Sequence, residues 1–192
     1  MNYKLLNEKI ADALVKDGYV VIEDALEETL VEKLLEEITQ ETSFQQATIS
    51  HNLILDTKKR KDKISWLDEK NPIERDFLTF TSSLQEYLNA TLYLGLRYYE
   101  AHFAIYNEGD FYERHLDSFK HTKNRIVTTV FYLNECKGGE LVIYNDDGNI
   151  VKKLQPKKNT LVVFLSEKFP HEVLPAGSKR YSIAGWFRID KI

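Results

Sequence analysis

From Tyr98 onward the chain is a succession of short apolar runs cut by turn residues, and this texture restricts the fold more than any other feature. The runs are Ala101 to Tyr106, Ile126 to Leu133, Glu140 to Tyr144, Leu161 to Leu165, His171 to Leu174 and Tyr181 to Phe187. Between them stand Asn107-Glu108-Gly109-Asp110, Lys137-Gly138-Gly139, Asn145-Asp146-Asp147-Gly148, Gln155-Pro156 and Pro175-Ala176-Gly177. Many short strands with regular turns predict an antiparallel sandwich or barrel. The first half reads differently: helices over Asn7 to Val15, Glu27 to Ile38 and Phe77 to Leu88, with one short buried strand at Tyr19 to Ile22. A polar excursion, Ser43 to Asn71, carries the basic run Lys58-Lys59-Arg60-Lys61 and the apolar pair Ile64 and Trp66; it has the length of a binding loop and room for a hairpin. No repeat or domain boundary is visible. The expectation is one domain over residues 1–192 of α+β, mainly β, class, with 1–97 as helical support plus a substrate loop and 98–192 as the core.

Net charge is -4, so a general electrostatic grip on nucleic acid or on an anionic membrane is not expected. The single cysteine, Cys136, excludes an intramolecular disulfide and fits a reducing compartment. The N-terminus lacks the apolar run of a signal peptide, and no stretch approaches the ~20 apolar residues of a membrane span. These features together predict a cytoplasmic protein.

The sharpest local signal is His115-Leu116-Asp117, joined much later by His171. In an extended segment, residues two apart point to the same side, so His115 and Asp117 can present a nitrogen and an oxygen to one point. His171 opens a later strand that can close beside the first. Two histidines and one carboxylate on one face form a facial triad, the ligand set of non-haem Fe(II) oxygenases, which leaves coordination positions open. An isolated H-x-D is weak; its company strengthens it. Arg180 starts a strand on which Arg180, Ser182, Ala184 and Trp186 share a face. An arginine aimed into a barrel is costly unless it meets an anion, and its planar fork suits a carboxylate. On the strand before, Ile126, Thr128, Val130 and Tyr132 share a face, and Tyr132 could donate to the same carboxylate. Tyr106 closes the strand before the triad, with His102 alternating onto its side; taken singly, each tyrosine reads first as core packing with a satisfied hydroxyl.

Taken together, Ala104-Ile105-Tyr106-Asn107, Arg114-His115-Leu116-Asp117, Tyr132-Leu133-Asn134, Gly138-Gly139-Glu140-Leu141, Pro170-His171-Glu172-Val173, Pro175-Ala176 and Arg180-Tyr181-Ser182-Ile183 running into Gly185-Trp186-Phe187 resemble the Egl-nine-like prolyl hydroxylases, a branch of the 2-oxoglutarate/Fe(II) dioxygenases. Arg60-Lys61-Asp62-Lys63-Ile64-Ser65-Trp66 looks like a further segment of that family, with Lys61 where the family has glycine. The resemblance implies a double-stranded β-helix (jelly roll, cupin-like) and an enzyme that hydroxylates proline in a protein or peptide, yielding succinate and CO2. It implies Fe(II) held by His115, Asp117 and His171, with O2 as oxidant and ascorbate as a candidate reductant. It implies 2-oxoglutarate held by Arg180 and Tyr132, with Tyr106 near its chelating end and Val130, Leu141 and Trp186 lining the pocket. Arg60, Asp62 and Trp66 would border the substrate groove. The chain stops at Ile192, soon after the last strand, which leaves no room for a helix over the pocket.

Two rivals stand beside this expectation. The same chemistry on a free amino acid or small metabolite would leave the site unchanged. A non-catalytic jelly-roll binding module would explain the strands, but not an open-faced triad together with Arg180.

Overall fold

A computed structural model describes residues 3–41, 43–47, 59–69, 71–118 and 124–190. Lys58 of the basic run, and with it residues 48–58 of the polar excursion, lies outside the described residues.

The three helices form where the apolar spacing places them, each a little longer than its stripe. Helix α1 (Lys4–Lys16) buries Ile10, Ala11 and Leu14. It is followed by Gly18 at a φ of +78°, where a Cβ would stand 2.9 Å from the Phe169 ring. Any other residue would meet both strain and a clash there. Helix α2 (Glu28–Gln40) buries Leu30, Val31, Leu34 and Ile38. Helix α3 (Pro72–Leu92) starts well before its apolar stripe, because Asn71 caps it by accepting from the Ile73 N–H and Pro72 occupies the first turn. It ends at Tyr93 in the left-handed region, φ 56°.

The strands are β1 (Tyr19–Ile22), β2 (Gln45–Gln46), β3 (Lys63–Trp66), β4 (Tyr98–Tyr106), β5 (Tyr112–His115), β6 (Arg125–Tyr132), β7 (Leu141–Tyr144), β8 (Ile150–Leu154), β9 (Thr160–Leu165), β10 (His171–Val173) and β11 (Arg180–Arg188). They form a seven-stranded sheet in the order β1-β9-β6-β11-β4-β3-β2 and a four-stranded sheet in the order β5-β10-β7-β8. Every pairing is antiparallel. The architecture is a double-stranded β-helix, as expected. The first half contributes three strands to the larger sheet where the apolar pattern gave one, since β2 and β3 pair with each other and β3 then pairs with β4. Strand β1 is an edge, so only Ile22 of its four residues is buried.

Two apolar clusters follow from the period of two. The helices pack on one face of the large sheet, against Phe103, Val127, Phe131, Leu161, Val163, Ile183 and Phe187. Phe77 of α3 stacks on Phe131 with ring centroids 5.8 Å apart. The opposite face, with Ala104, Val130, Val162 and Phe164, meets Leu141, Ile143 and Val173 of the small sheet. Each fully buried aromatic or aliphatic side chain contributes roughly 1.5–3 kcal/mol, so the helix layer carries a large part of the stability. Gly185 sits where the Tyr99 hydroxyl crosses β11; a Cβ there would lie 2.0 Å from that oxygen. Among the described residues no helix is long and apolar enough to cross a membrane.

Candidate active site

A cleft opens between the two sheets, and it gathers residues from almost every inward-facing strand. His115, the last residue of β5, pairs directly with His171, the first of β10. Asp117 lies beyond the end of β5, so a bend in the chain, not strand alternation, brings its carboxylate round. The outcome is still convergence. His115 Nε2 lies 3.4 Å from Asp117 Oδ1, and His171 Nε2 lies 3.4 Å from Asp117 Oδ2. The three candidate ligand atoms all lie within 4.8 Å of one another, a spacing that could hold a metal ion.

The proton positions suit a metal. His115 Nδ1 is 2.8 Å from the Glu113 carbonyl and His171 Nδ1 is 3.0 Å from the Phe169 carbonyl. A carbonyl only accepts, so each Nδ1 donates, and in a neutral ring each Nε2 keeps its lone pair toward the cleft. Burial pushes His171 down to about 4, which keeps it neutral at pH 7. Burial alone would raise Asp117, but His171, His115 and Arg125 hold its carboxyl well below the usual carboxylate range. Its Oδ2 also accepts from Thr128 at 2.9 Å, and Thr128 in turn lies 2.8 Å from the Ser166 hydroxyl. Two imidazoles that turn Nε2 toward the cleft and one fixed carboxylate suit a borderline divalent cation such as Fe(II).

Deeper in the same cleft, Arg180 is only 2% exposed. Its guanidinium lies 4.7 Å from the Tyr106 ring centroid and 4.9 Å from that of Tyr132. One nitrogen donates to the Ser182 hydroxyl at 3.2 Å, while Nε has no hydrogen-bond partner. No carboxylate pairs with it among the described residues, and the buried Tyr132 hydroxyl is also without a partner. A buried cation beside an unsatisfied hydroxyl is costly. The chemistry that relieves both at once is a bound carboxylate, which a guanidinium fork and a phenol can grip together. These orphaned donors therefore fit the distal end of a dicarboxylate such as 2-oxoglutarate.

Of the other expected residues, Tyr106, Val130, Leu141 and Trp186 line the cleft, and Tyr132 lies beside Arg180, its ring centroid 4.9 Å from the guanidinium. Burial raises both tyrosine hydroxyls above the usual phenol range, so both remain protonated donors. Arg60 also lines the cleft. Asp62, fully buried, takes both its Nε and a terminal nitrogen at 2.6 and 2.9 Å. The Arg60 guanidinium sits over Tyr112, which stacks on His115 with centroids 3.6 Å apart. Trp66 is 52% exposed at the mouth, edge-on to His102.

Three contributors went unrecognised in the sequence. Thr128 and Ser166, which brace Asp117, sit in strand or turn contexts that carry no motif. Arg125, whose guanidinium covers the Trp186 ring at 3.8 Å and is held by Glu100, enters the cleft where period two predicts Ile126. The register slips between Phe187 and Arg188 where β11 meets β6, and Ile126 instead packs toward the helices.

Comparison with known proteins agrees with this geometry. A profile of the 2OG-Fe(II) oxygenase superfamily matches residues 101–188. Human Egl nine homolog 1 is 29% identical over 205 residues, covering 96% of this chain and 47% of its own length. The chain thus spans about half the length of the curated relatives it matches. A Pseudomonas putida prolyl-4-hydroxylase crystal structure superposes with a TM-score of 0.88 at 35% identity, covering 96% of this chain and 100% of that one. A Trichoplax adhaerens prolyl hydroxylase, solved with a hypoxia inducible factor oxygen degradation domain peptide fragment, gives 0.85 at 26% identity, covering 98% and 93%. By fold, by triad and by similarity along nearly its whole length, the chain belongs to the 2OG-Fe(II) oxygenase superfamily and resembles its Egl nine and prolyl-4-hydroxylase members.

Proposed function

We propose that this chain hydroxylates a prolyl residue in a peptide or protein, consuming 2-oxoglutarate and O2. The observation that carries the reading is the pairing, in one cleft, of an open-faced His-Asp-His triad with a buried Arg180 that lacks a counter-anion. Similarity to prolyl hydroxylases, one of them solved on a peptide, supports the substrate class.

In this reading His115, Asp117 and His171 would hold Fe(II) through the ligand atoms they turn into the cleft. When bound, the iron with 2-oxoglutarate and O2 supplies the oxidation that places a hydroxyl on a C–H carbon. The chain's own contribution is binding and orientation. Arg180 and Tyr132 anchor the distal carboxylate. Tyr106 keeps its proton and donates toward the chelating end. Val130, Leu141 and Trp186 shape dry walls. The Arg60–Asp62 link fixes the segment that ends in Trp66, at the edge where a peptide would enter. A cytoplasmic location is part of the proposal, supported by the single, buried, unpaired Cys136.

The test is succinate release with Fe(II) and 2-oxoglutarate, together with mass spectrometry of proline-bearing peptides. The expected outcome is a +16 Da product on a peptide, none on free proline, and loss of both signals in His115→Ala. Product on free proline alone would replace the peptide substrate by a small molecule. Succinate release that survives His115→Ala would remove the triad from the chemistry.

A further inference from the structure

Strand β4 sends His102, Ala104 and Tyr106 into the cleft, and β11 pairs Arg180 with Tyr106 and Ala184 with His102. Four residues of strand separate the two pairs, roughly 13 Å. His102 therefore lies toward the Trp186 end of the cleft, two strand pairs from Arg180 and Tyr106. Its neighbours agree: Trp66, exposed at the mouth, stands edge-on to it at 5.1 Å, and Trp186 lies on its other side at 5.4 Å.

The ring is fixed in one state. Its Nδ1 is 3.2 Å from the Phe103 carbonyl and so carries the hydrogen. Burial, with Arg60 and Arg125 nearby, pushes its pKa down to about 3, so the ring is neutral and Nε2 is an acceptor. No described residue donates to that nitrogen. A methionine or leucine would fill the same space without placing an acceptor in the cleft wall. The wall of the cleft thus offers a lone acceptor between two indoles.

We propose that His102 is a specificity-determining residue whose Nε2 accepts a hydrogen bond from a backbone N–H of the peptide beside the target proline. This rests on the prolyl-peptide reading above. Proline itself has no N–H, so the donor comes from a flanking residue. A product hydroxyl exists only after reaction and cannot assist binding. Side-chain donors vary with sequence, whereas a backbone N–H accompanies every peptide. The acceptor would hold the chain in register so that one ring carbon faces the iron, while the indoles enclose the pyrrolidine.

The experiment is a double-mutant cycle between residue 102 and the peptide backbone. Proline-centred decapeptides are screened by succinate release, and the most active is remade with an N-methyl group on the residue before or after the proline. For the wild type, one of the two N-methyl peptides is expected to raise KM about five- to tenfold, the worth of one hydrogen bond, with a smaller change in kcat. His102→Phe should show that raised KM with the parent peptide and no further response to the N-methyl group. His102→Gln, which keeps an acceptor, should recover part of the response, and melting temperatures report whether each variant folds. Indifference of the wild type to both N-methyl peptides overturns the proposal without recourse to any variant. So does a His102→Phe enzyme that responds as the wild type does. A screen in which no peptide stimulates succinate release is a different result, because it removes the prolyl reading itself.

Discussion

On β6, Val127, Thr129 and Phe131 point toward the helices, whereas Thr128, Val130 and Tyr132 point toward the small sheet. The two sets share one backbone and alternate residue by residue, yet they are furnished for different work. The helix side is apolar, and its polar Thr129 has a partner in the Tyr99 hydroxyl at 2.7 Å. The cleft side holds His102, Asp117, His171 and Arg180, all buried, and leaves Arg180 Nε, the Tyr132 hydroxyl and the Trp186 Nε1 without partners. On the helix side of the sheet Thr129 is paired, and the buried atoms without partners in that layer, Asn7 Oδ1 and Glu37 Oε2, belong to the helices. The cleft side keeps donors and acceptors open for molecules yet to arrive, and its stability is borrowed from the helix side.

That contrast can be broken at specific positions. The largest effect is expected from His171→Ala, which removes a ligand atom: succinate release should fall by more than the ten- to hundredfold typical of losing a metal's outer partners, with the melting temperature little changed. Phe131→Ala should do the reverse, costing about 3–5 kcal/mol in denaturant unfolding through the cavity beside Phe77, while turnover per folded molecule holds. Arg180→Met separates the two roles most clearly. Removing an unpaired buried cation should stabilise the protein without co-substrate by about 1–4 kcal/mol, and calorimetric titration should find 2-oxoglutarate binding lost. A destabilised Arg180→Met protein would show that the guanidinium serves the fold. The smallest effect is expected from Thr128→Val, which deletes the hydrogen bond to Asp117. Metal affinity, read by titration with Co(II), should drop roughly tenfold with little change in melting temperature.

Much of this division was legible in the sequence because period two is a backbone property. Arg180, Ser182, Ala184 and Trp186 fall on the cleft side as their alternation requires. Legibility failed where the backbone departs from that period or where a strand has no apolar face. Asp117 reaches the site from a bend, so its spacing from His115 gave the right partner by the wrong geometry. The register slip near Arg188 exchanged Arg125 for Ile126. Strand β5 is mostly polar and β8, with Ile150 and two lysines, is an exposed edge, so neither shows an apolar run. The polar excursion leaves room for a hairpin, and β2 and β3 form one, but its attachment to β4 through β3 is a contact no local pattern encodes.

The placement of β1 has a practical consequence for anyone wishing to work with a smaller piece. The superfamily profile covers 101–188, but that stretch is not a unit that could be excised. Cutting away the first hundred residues would uncover the backbone of β9 along one side and of β4 along the other. It would also strip the helices from a surface of phenylalanine, valine and isoleucine. An unpaired run such as Leu161-Val162-Val163-Phe164-Leu165 is a template for pairing with other chains. The shortened protein is expected to precipitate, with the ligands for its metal still present and nowhere to be held.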